Sequence, residues 1–170
     1  MIDRDLVALE TPEYVARRAR RDASDFREVF DLLDAVRDPE LPELSIWDLG
    51  VLRDVRKDEV LVVAITPTYS GCPALDVIRQ DIVECLRIAG IDKVEIEDQV
   101  IPAWSTDLMS QAARTRLRSG GVAPPAPHGA ACPVCGSVSV EVISQFGSTA
   151  CKALYRCLTC REPFDYFKEH

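Results

Sequence analysis

Histidine is nearly missing from this chain. Its 170 residues include two, His128 and His170, each isolated from any recognisable motif. No serine–histidine–acid set is visible, and no Glu-x-x-His pair of the kind that helical di-iron sites use. A phosphate-cradling glycine loop and a dinucleotide fingerprint are missing too. No stretch of about 18 apolar residues occurs, so no membrane span is expected. The first residues, Met-Ile-Asp-Arg-Asp, lack a signal-type apolar core, and the expectation is a cytoplasmic protein. Positive charge is also short. The net charge is −8, with 24 acidic and 16 basic residues in 1–129 and four of each in 130–170. A general nucleic-acid binder would show a basic face, so nucleic acid is not an expected partner. The acidity of the front part suits solubility, or a patch that meets a basic protein.

Cysteine is what the chain has in plenty: seven residues, without secretion signals, which reads as cytosolic thiols and metal ligands. Four of them form two knuckles, Cys132-Pro-Val-Cys135 and Cys157-Leu-Thr-Cys160. Two residues between paired thiolates let both sulfurs reach one ion, and two such pairs supply four soft ligands for tetrahedral Zn²⁺. The 21 residues between the knuckles are long enough for a hairpin that lays the second pair over the first. Gly136 follows the first knuckle, where the chain must turn sharply. A single iron in the same thiolates is the rival occupant. So small a ribbon can hardly bury a core, and its metal would supply much of its stability.

Four segments organise the chain: an N-terminal extension (1–23), a main domain (24–118), a Gly/Pro-rich linker (119–130) and the four-cysteine ribbon (131–170). Thr11-Pro12-Glu13 is a helix start, and the basic run 17–21 behind it reads as a solvated helix face rather than a binding arm. Phe26, Val29, Phe30, Leu33 and Val36 predict a helix over 25–37, ended by Asp38-Pro39. A loop over 41–45 and two strands, 51–55 and 60–65, follow; the second strand is apolar enough to be covered on both faces. A helix to about residue 89, a half-wet strand over 92–97 and a final helix over 104–118 complete the domain. Cys85 falls on an apolar helical stripe and is expected in the core.

Cys72 stands between Gly71 and Pro73 at a strand-to-helix junction. The partial positive charge of the helix N-terminus is expected to stabilise its thiolate and lower its pKa, which suits a metal ligand or a nucleophile. Asp38, Glu40 and Asp48 precede the first strand, and Thr66, Thr68, Tyr69 and Ser70 precede Cys72; loops at one end of a sheet can gather such groups. Cys151, in a small polar run six residues before Cys157, fits ribbon packing, an exposed hairpin tip or a partner contact equally.

Asp38-Pro39-Glu40-Leu41-Pro42, Ile46-Trp47-Asp48-Leu49-Gly50-Val51-Leu52 and Thr66-Pro67-Thr68-Tyr69-Ser70-Gly71-Cys72-Pro73 together resemble the SufT-like iron–sulfur assembly domain. The ribbon, with residues 145–157 and 161–168, resembles the PaaD family of phenylacetate degradation. The resemblance implies an α+β fold: a two-layer α-β-β-α-β-α domain with a mixed sheet, then a small β zinc ribbon. It implies an accessory factor of the phenylacetyl-CoA 1,2-epoxidase system, not its oxygenase. Partners would be the oxygenase or reductase subunits. Cys72 matches the cysteine linked to iron–sulfur handling, with Asp38, Asp48, Thr66 and Thr68 at the polar positions around it. Structural Zn²⁺ in the tetrad and a transient iron–sulfur cluster are the implied cofactors. One cysteine cannot hold a cluster alone, so a cluster shared by Cys72 from each chain of a homodimer is an expectation. The rival readings are an adapter without chemistry and a thiol enzyme with Cys72 as nucleophile.

Overall fold

The computed structural model describes residues 10–69, 71–126 and 129–169; Ser70, His128 and His170 lie outside them. Helix α1 (Pro12–Ala23) starts where Thr11 and Pro12 predict, with Thr11 Oγ1 accepting from the Tyr14 amide at 3.2 Å. It does not stand off as an extension: Tyr14 and Arg17 are buried against the main core, and the Thr11 hydroxyl donates to the Asp107 carbonyl. Helix α2 (Arg27–Leu33) buries Val29, Phe30 and Leu33 but is shorter than expected. The chain turns extended before Pro39, and β1 (Arg37–Asp38) pairs antiparallel with β2 (Leu41–Ser45), where a loop was expected.

Ser45 caps the short helix α3 (Ile46–Leu49), accepting from the Asp48 amide at 3.0 Å. Gly50 ends it at φ +85°, and a Cβ there would lie 2.7 Å from Leu108 Cβ, so glycine is required on both counts. The central sheet has the order β3 (Leu52–Lys57), β4 (Leu61–Ile65), β5 (Val94–Asp98). β4 is antiparallel to β3 and parallel to β5, which makes the sheet mixed, and every residue of β4 is buried. The parallel crossover is helix α4 (Ala74–Ile88), which lays Leu75, Ile78, Ile82 and Leu86 on the core. Cys85, one position off that stripe, is only half-buried, its thiol 3.5 Å from the Leu32 carbonyl.

The expected helix over 104–118 is split. Residues Thr106–Leu108 make a single 3₁₀ turn, and α5 (Gln111–Ser119) starts afresh on Ser110, whose hydroxyl oxygen accepts from the Ala113 amide at 2.9 Å. Four strands then form the ribbon sheet in the order β6 (Val122–Ala123), β9 (Pro163–Phe167), β8 (Lys152–Cys157), β7 (Val140–Ser144). β6 comes from the segment expected as a linker and runs parallel to β9.

The ribbon has a small core of its own, Ala123, Ala130, Cys132, Cys157, Phe164 and Tyr166. Its near end is shared: Val122, Cys151 and Phe167 belong to the main core. Phe167 meets Trp104 edge-on at 6.0 Å, and the Trp104 indole donates to the Leu49 carbonyl at 3.0 Å. No helix among the described residues is long and apolar enough to cross a membrane.

Candidate metal centre and thiol junction

The two knuckles repeat one backbone geometry. In the first, the Gly136 amide donates to the Cys132 carbonyl at 2.9 Å, and the Cys132 amide to the Ser137 carbonyl at 2.9 Å. In the second, Arg161 donates to Cys157 at 3.0 Å and Cys157 to Glu162 at 2.9 Å. Each turn closes through a left-handed residue, Gly136 at φ 73° and Arg161 at φ 68°. The hairpin of β7 and β8 carries one knuckle over the other, and the four sulfurs lie within 4.8 Å of one another. Two pairs are closer, Cys132–Cys160 at 3.7 Å and Cys135–Cys157 at 3.6 Å. A tetrahedron with metal–sulfur bonds of about 2.3 Å has sulfur–sulfur edges of about 3.8 Å, so the tetrad fits a zinc-sized ion. The Cys160 amide, 3.4 Å from Cys157 Sγ, together with the Thr159 amide, pulls the Cys157 thiol down to about 6, which favours the ligating thiolate.

A second group of thiols and carboxylates gathers where the ribbon meets the main domain. Gly71, at φ +81°, turns the chain into Cys72, whose amide donates to the Tyr69 carbonyl at 3.3 Å and whose carbonyl receives the Leu75 amide at 3.2 Å. Cys72 is half-buried against the main core. Its thiol is not lowered, as its place before a helix led us to expect, but raised. Burial is the largest cause. The Ala74 amide and the Tyr69 hydroxyl pull the other way, while Glu40 and Asp38 push it up. The helix N-terminus does act on the sulfur, and burial beside two carboxylates outweighs it. Alkylation by iodoacetamide is therefore expected to be slower at neutral pH than for an unperturbed thiol. Its rate should climb about tenfold per pH unit past the point where an ordinary thiol levels off. A plateau near neutrality would show a low-pKa thiolate instead.

Asp38 is buried at the β1–β2 turn, its Oδ1 accepting from the Glu40 amide at 2.8 Å and the Leu41 amide at 3.0 Å. Burial raises its pKa against those two bonds. The turn presents Glu40 to the ribbon, where the buried Cys151 thiol donates to Glu40 Oε2 at 3.8 Å and lies 3.0 Å from Thr149 Oγ1. Burial first, then Glu40 and Asp38, push the Cys151 thiol up, opposed by Thr149 and Lys152. Tyr69 feels Cys72, Glu40 and Cys151 at once. Cys72, Cys151, Asp38, Glu40, Tyr69 and the buried Lys152 thus share one electrostatic neighbourhood.

The remaining candidates hold the fold around it. Asp48 is ion-paired with Arg116 and accepts from the Ser110 hydroxyl at 2.6 Å, tying α3 to α5. The Thr66 hydroxyl donates to the Gln99 carbonyl at 2.6 Å across the end of the sheet. Thr68 is half-buried. Lys152 was missed in the sequence; it follows Cys151 directly, but no local pattern marks a buried lysine.

The family model described as an iron–sulfur cluster assembly protein matches residues 27–97, and that described as the PaaD zinc beta ribbon domain matches residues 122–168. A protein of Escherichia coli (strain K12), provisionally named as a subunit of 1,2-phenylacetyl-CoA epoxidase, is 49% identical over 150 residues, 83% of this chain and 91% of that protein. A Porphyromonas gingivalis protein named Fe-S protein maturation auxiliary factor is 33% identical over 93 residues, 53% of this chain and 88% of its own length. The crystal structure of a domain of unknown function from Bacillus anthracis superposes with TM-score 0.49 at 30% identity, covering 61% of this chain and 95% of that one. Matched in both its parts, and nearly half identical to the Escherichia coli protein along most of both chains, this chain belongs to the PaaD family.

Proposed function

We propose that the protein is an accessory factor of a phenylacetyl-CoA 1,2-epoxidase system in the cytoplasm, acting in aerobic phenylacetate catabolism. In this reading it helps assemble an iron–sulfur cluster or metal centre in the oxygenase or reductase subunits and is not itself the catalyst. The observation that carries it is the position of Cys72. It is a partly accessible thiol at the turn into α4, beside Asp38, Glu40 and Tyr69, in the part of the chain that matches the assembly family. The naming of two relatives, one as part of an epoxidase and one as a maturation factor, supports the same reading. Zn²⁺ in the tetrad would be structural, since the four thiolates complete a tetrahedron and leave no open position.

An adapter role has its own support in the exposed apolar residues of the ribbon, Val138, Val142, Ile143 and Phe146. Purification without oxygen, with zinc, iron and acid-labile sulfide measured for wild type and Cys72→Ser, separates the two. Zinc in both, with iron and sulfide lost in the variant, is the outcome expected of a cluster-handling factor. Zinc in both and no cluster in either, even after reconstitution, selects the adapter.

A further inference from the structure

We propose that Cys72, Cys151 and Glu40 form a second metal-binding site, at the junction of the ribbon and the main domain, for a divalent transition-metal ion that accepts both thiolate and carboxylate ligands. The fold brings these residues together from three separate stretches of chain. Cys151 and Glu40 are 111 positions apart in sequence and 3.8 Å apart at their ligand atoms. Cys72, at the turn into α4, packs on the same core that contains Cys151. Glu40 and Asp38 act electrostatically on both thiols, and Tyr69 acts on Cys72.

The surroundings suit a negative ligand set. Two thiolates and one carboxylate around a doubly charged ion leave one negative charge in a half-dry place. Lys152, buried and acting on both Cys151 and Asp38, supplies the compensating charge there. Asp38 is committed to the Glu40 and Leu41 amides, so it fixes the turn that aims Glu40 instead of joining the set.

The site is open rather than preformed. Among the described residues only the ribbon tetrad holds three or more such ligand atoms within 4.8 Å of one another, so closing the junction around an ion takes side-chain rotation. Glu40 and Cys72 are only half-buried, and closure would use rotation of these two side chains. Three ligands leave a position free for water or for a ligand from another protein, which is what release to a client requires and a closed tetrad cannot offer. Binding displaces the two thiol protons to solvent and changes no oxidation state. Cys151 would also supply, within one chain, the second thiolate that a cluster bridging two copies of Cys72 would need from a dimer. The metal site stands on this geometry, and its use in metal handover rests on the maturation reading.

Cobalt(II) added without oxygen to the reduced, zinc-loaded full chain tests the site, because thiolate ligation gives a sulfur-to-cobalt charge-transfer band. Wild type is expected to develop the band with about one cobalt per chain beyond the zinc already bound. Cys72→Ser and Cys151→Ser should each lower its intensity by about half and weaken binding at least about tenfold. Glu40→Gln should weaken binding while the band per bound cobalt stays. The wild-type band needs no variant to fold, so its absence in excess cobalt overturns the site. A band at full strength in either cysteine variant also overturns it, since cobalt would then sit in the ribbon. Loss of the junction site in this way would leave the maturation reading to be decided separately, by the iron and sulfide of the anaerobic preparation.

Discussion

Cys157→Ser is expected to release the ribbon metal and unfold the ribbon, the largest single effect in the chain. Cys157 is fully buried at the centre of the small core, and its sulfur accepts the Cys160 amide while facing Cys135 at 3.6 Å. Serine keeps the size but offers a hydroxyl that does not ligate as a thiolate does. The remaining core has two alanines and two aromatic rings besides the cysteines, too little apolar surface to fold on its own. Metal binding in such modules is worth roughly 10–16 kcal/mol, comparable with or above the 5–15 kcal/mol net stability of a whole domain. The damage should spread, because Val122, Cys151 and Phe167 complete the main core and Phe167 packs on Trp104. Zinc should fall to under about a tenth of the wild-type content, and hydrogen exchange should lose protection through β6–β9 and also around Trp104 and α5. A strong chelator should do the same to the wild type. A variant that keeps its zinc, or loses it while melting like wild type, would show that the tetrad is not structural.

What could be read in the sequence follows from how local each signal is. The knuckles were legible because both ligands of a pair sit on one turn, and Gly136 marked the first turn by its freedom at positive φ. The matching position of the second turn is Arg161 at φ 68°, which no composition rule points to. β4 was legible as a central strand from its unbroken apolar run, and α4 from its stripe and the glycine after it. The β1–β2 pair was not, since Pro39 and Pro42 look like loop residues until each strand has found the other. The junction was half legible. Cys72 stood out by its place before a helix, but the sign of its shift depends on burial and on Glu40 and Asp38, which only the folded chain brings near. In the sequence Cys151 fits three readings, because its partner Glu40 is 111 residues away.

Arg17→Ala is expected to cost about 3–5 kcal/mol, because it empties a buried position that makes three hydrogen bonds. The basic run around it reads as a solvated face, yet Arg17 is 1% exposed. Its guanidinium donates to the carbonyls of Leu52 at 3.1 Å, Trp47 at 2.6 Å and Leu108 at 2.9 Å, and lies 3.8 Å from the centroid of the Trp47 ring. Burial lowers its pKa to about 9, so the group is still charged at neutral pH, and its Nε has no partner. The three carbonyls belong to α3, the start of β3 and the 3₁₀ turn, so one side chain of α1 joins three elements. Removing it takes a charged donor from three buried carbonyls, of which Trp47 keeps the Gly50 amide at 3.0 Å, and leaves a cavity beside Trp47. At about 2–4 °C per kcal/mol for a chain of this size, the melting temperature should fall by roughly 6–20 °C. Arg17→Lys should recover only part of the loss, since one ammonium on a flexible stem cannot span three carbonyls set by a planar fork. Arg17→Met separates packing from hydrogen bonding, because it keeps most of the stem and drops every donor. Urea unfolding of the three variants gives the answer. Losses in the order Ala > Met > Lys, all above about 1 kcal/mol, would make α1 part of the domain through its hydrogen bonds. A methionine variant as stable as wild type would mean that burying the guanidinium costs as much as its three bonds return.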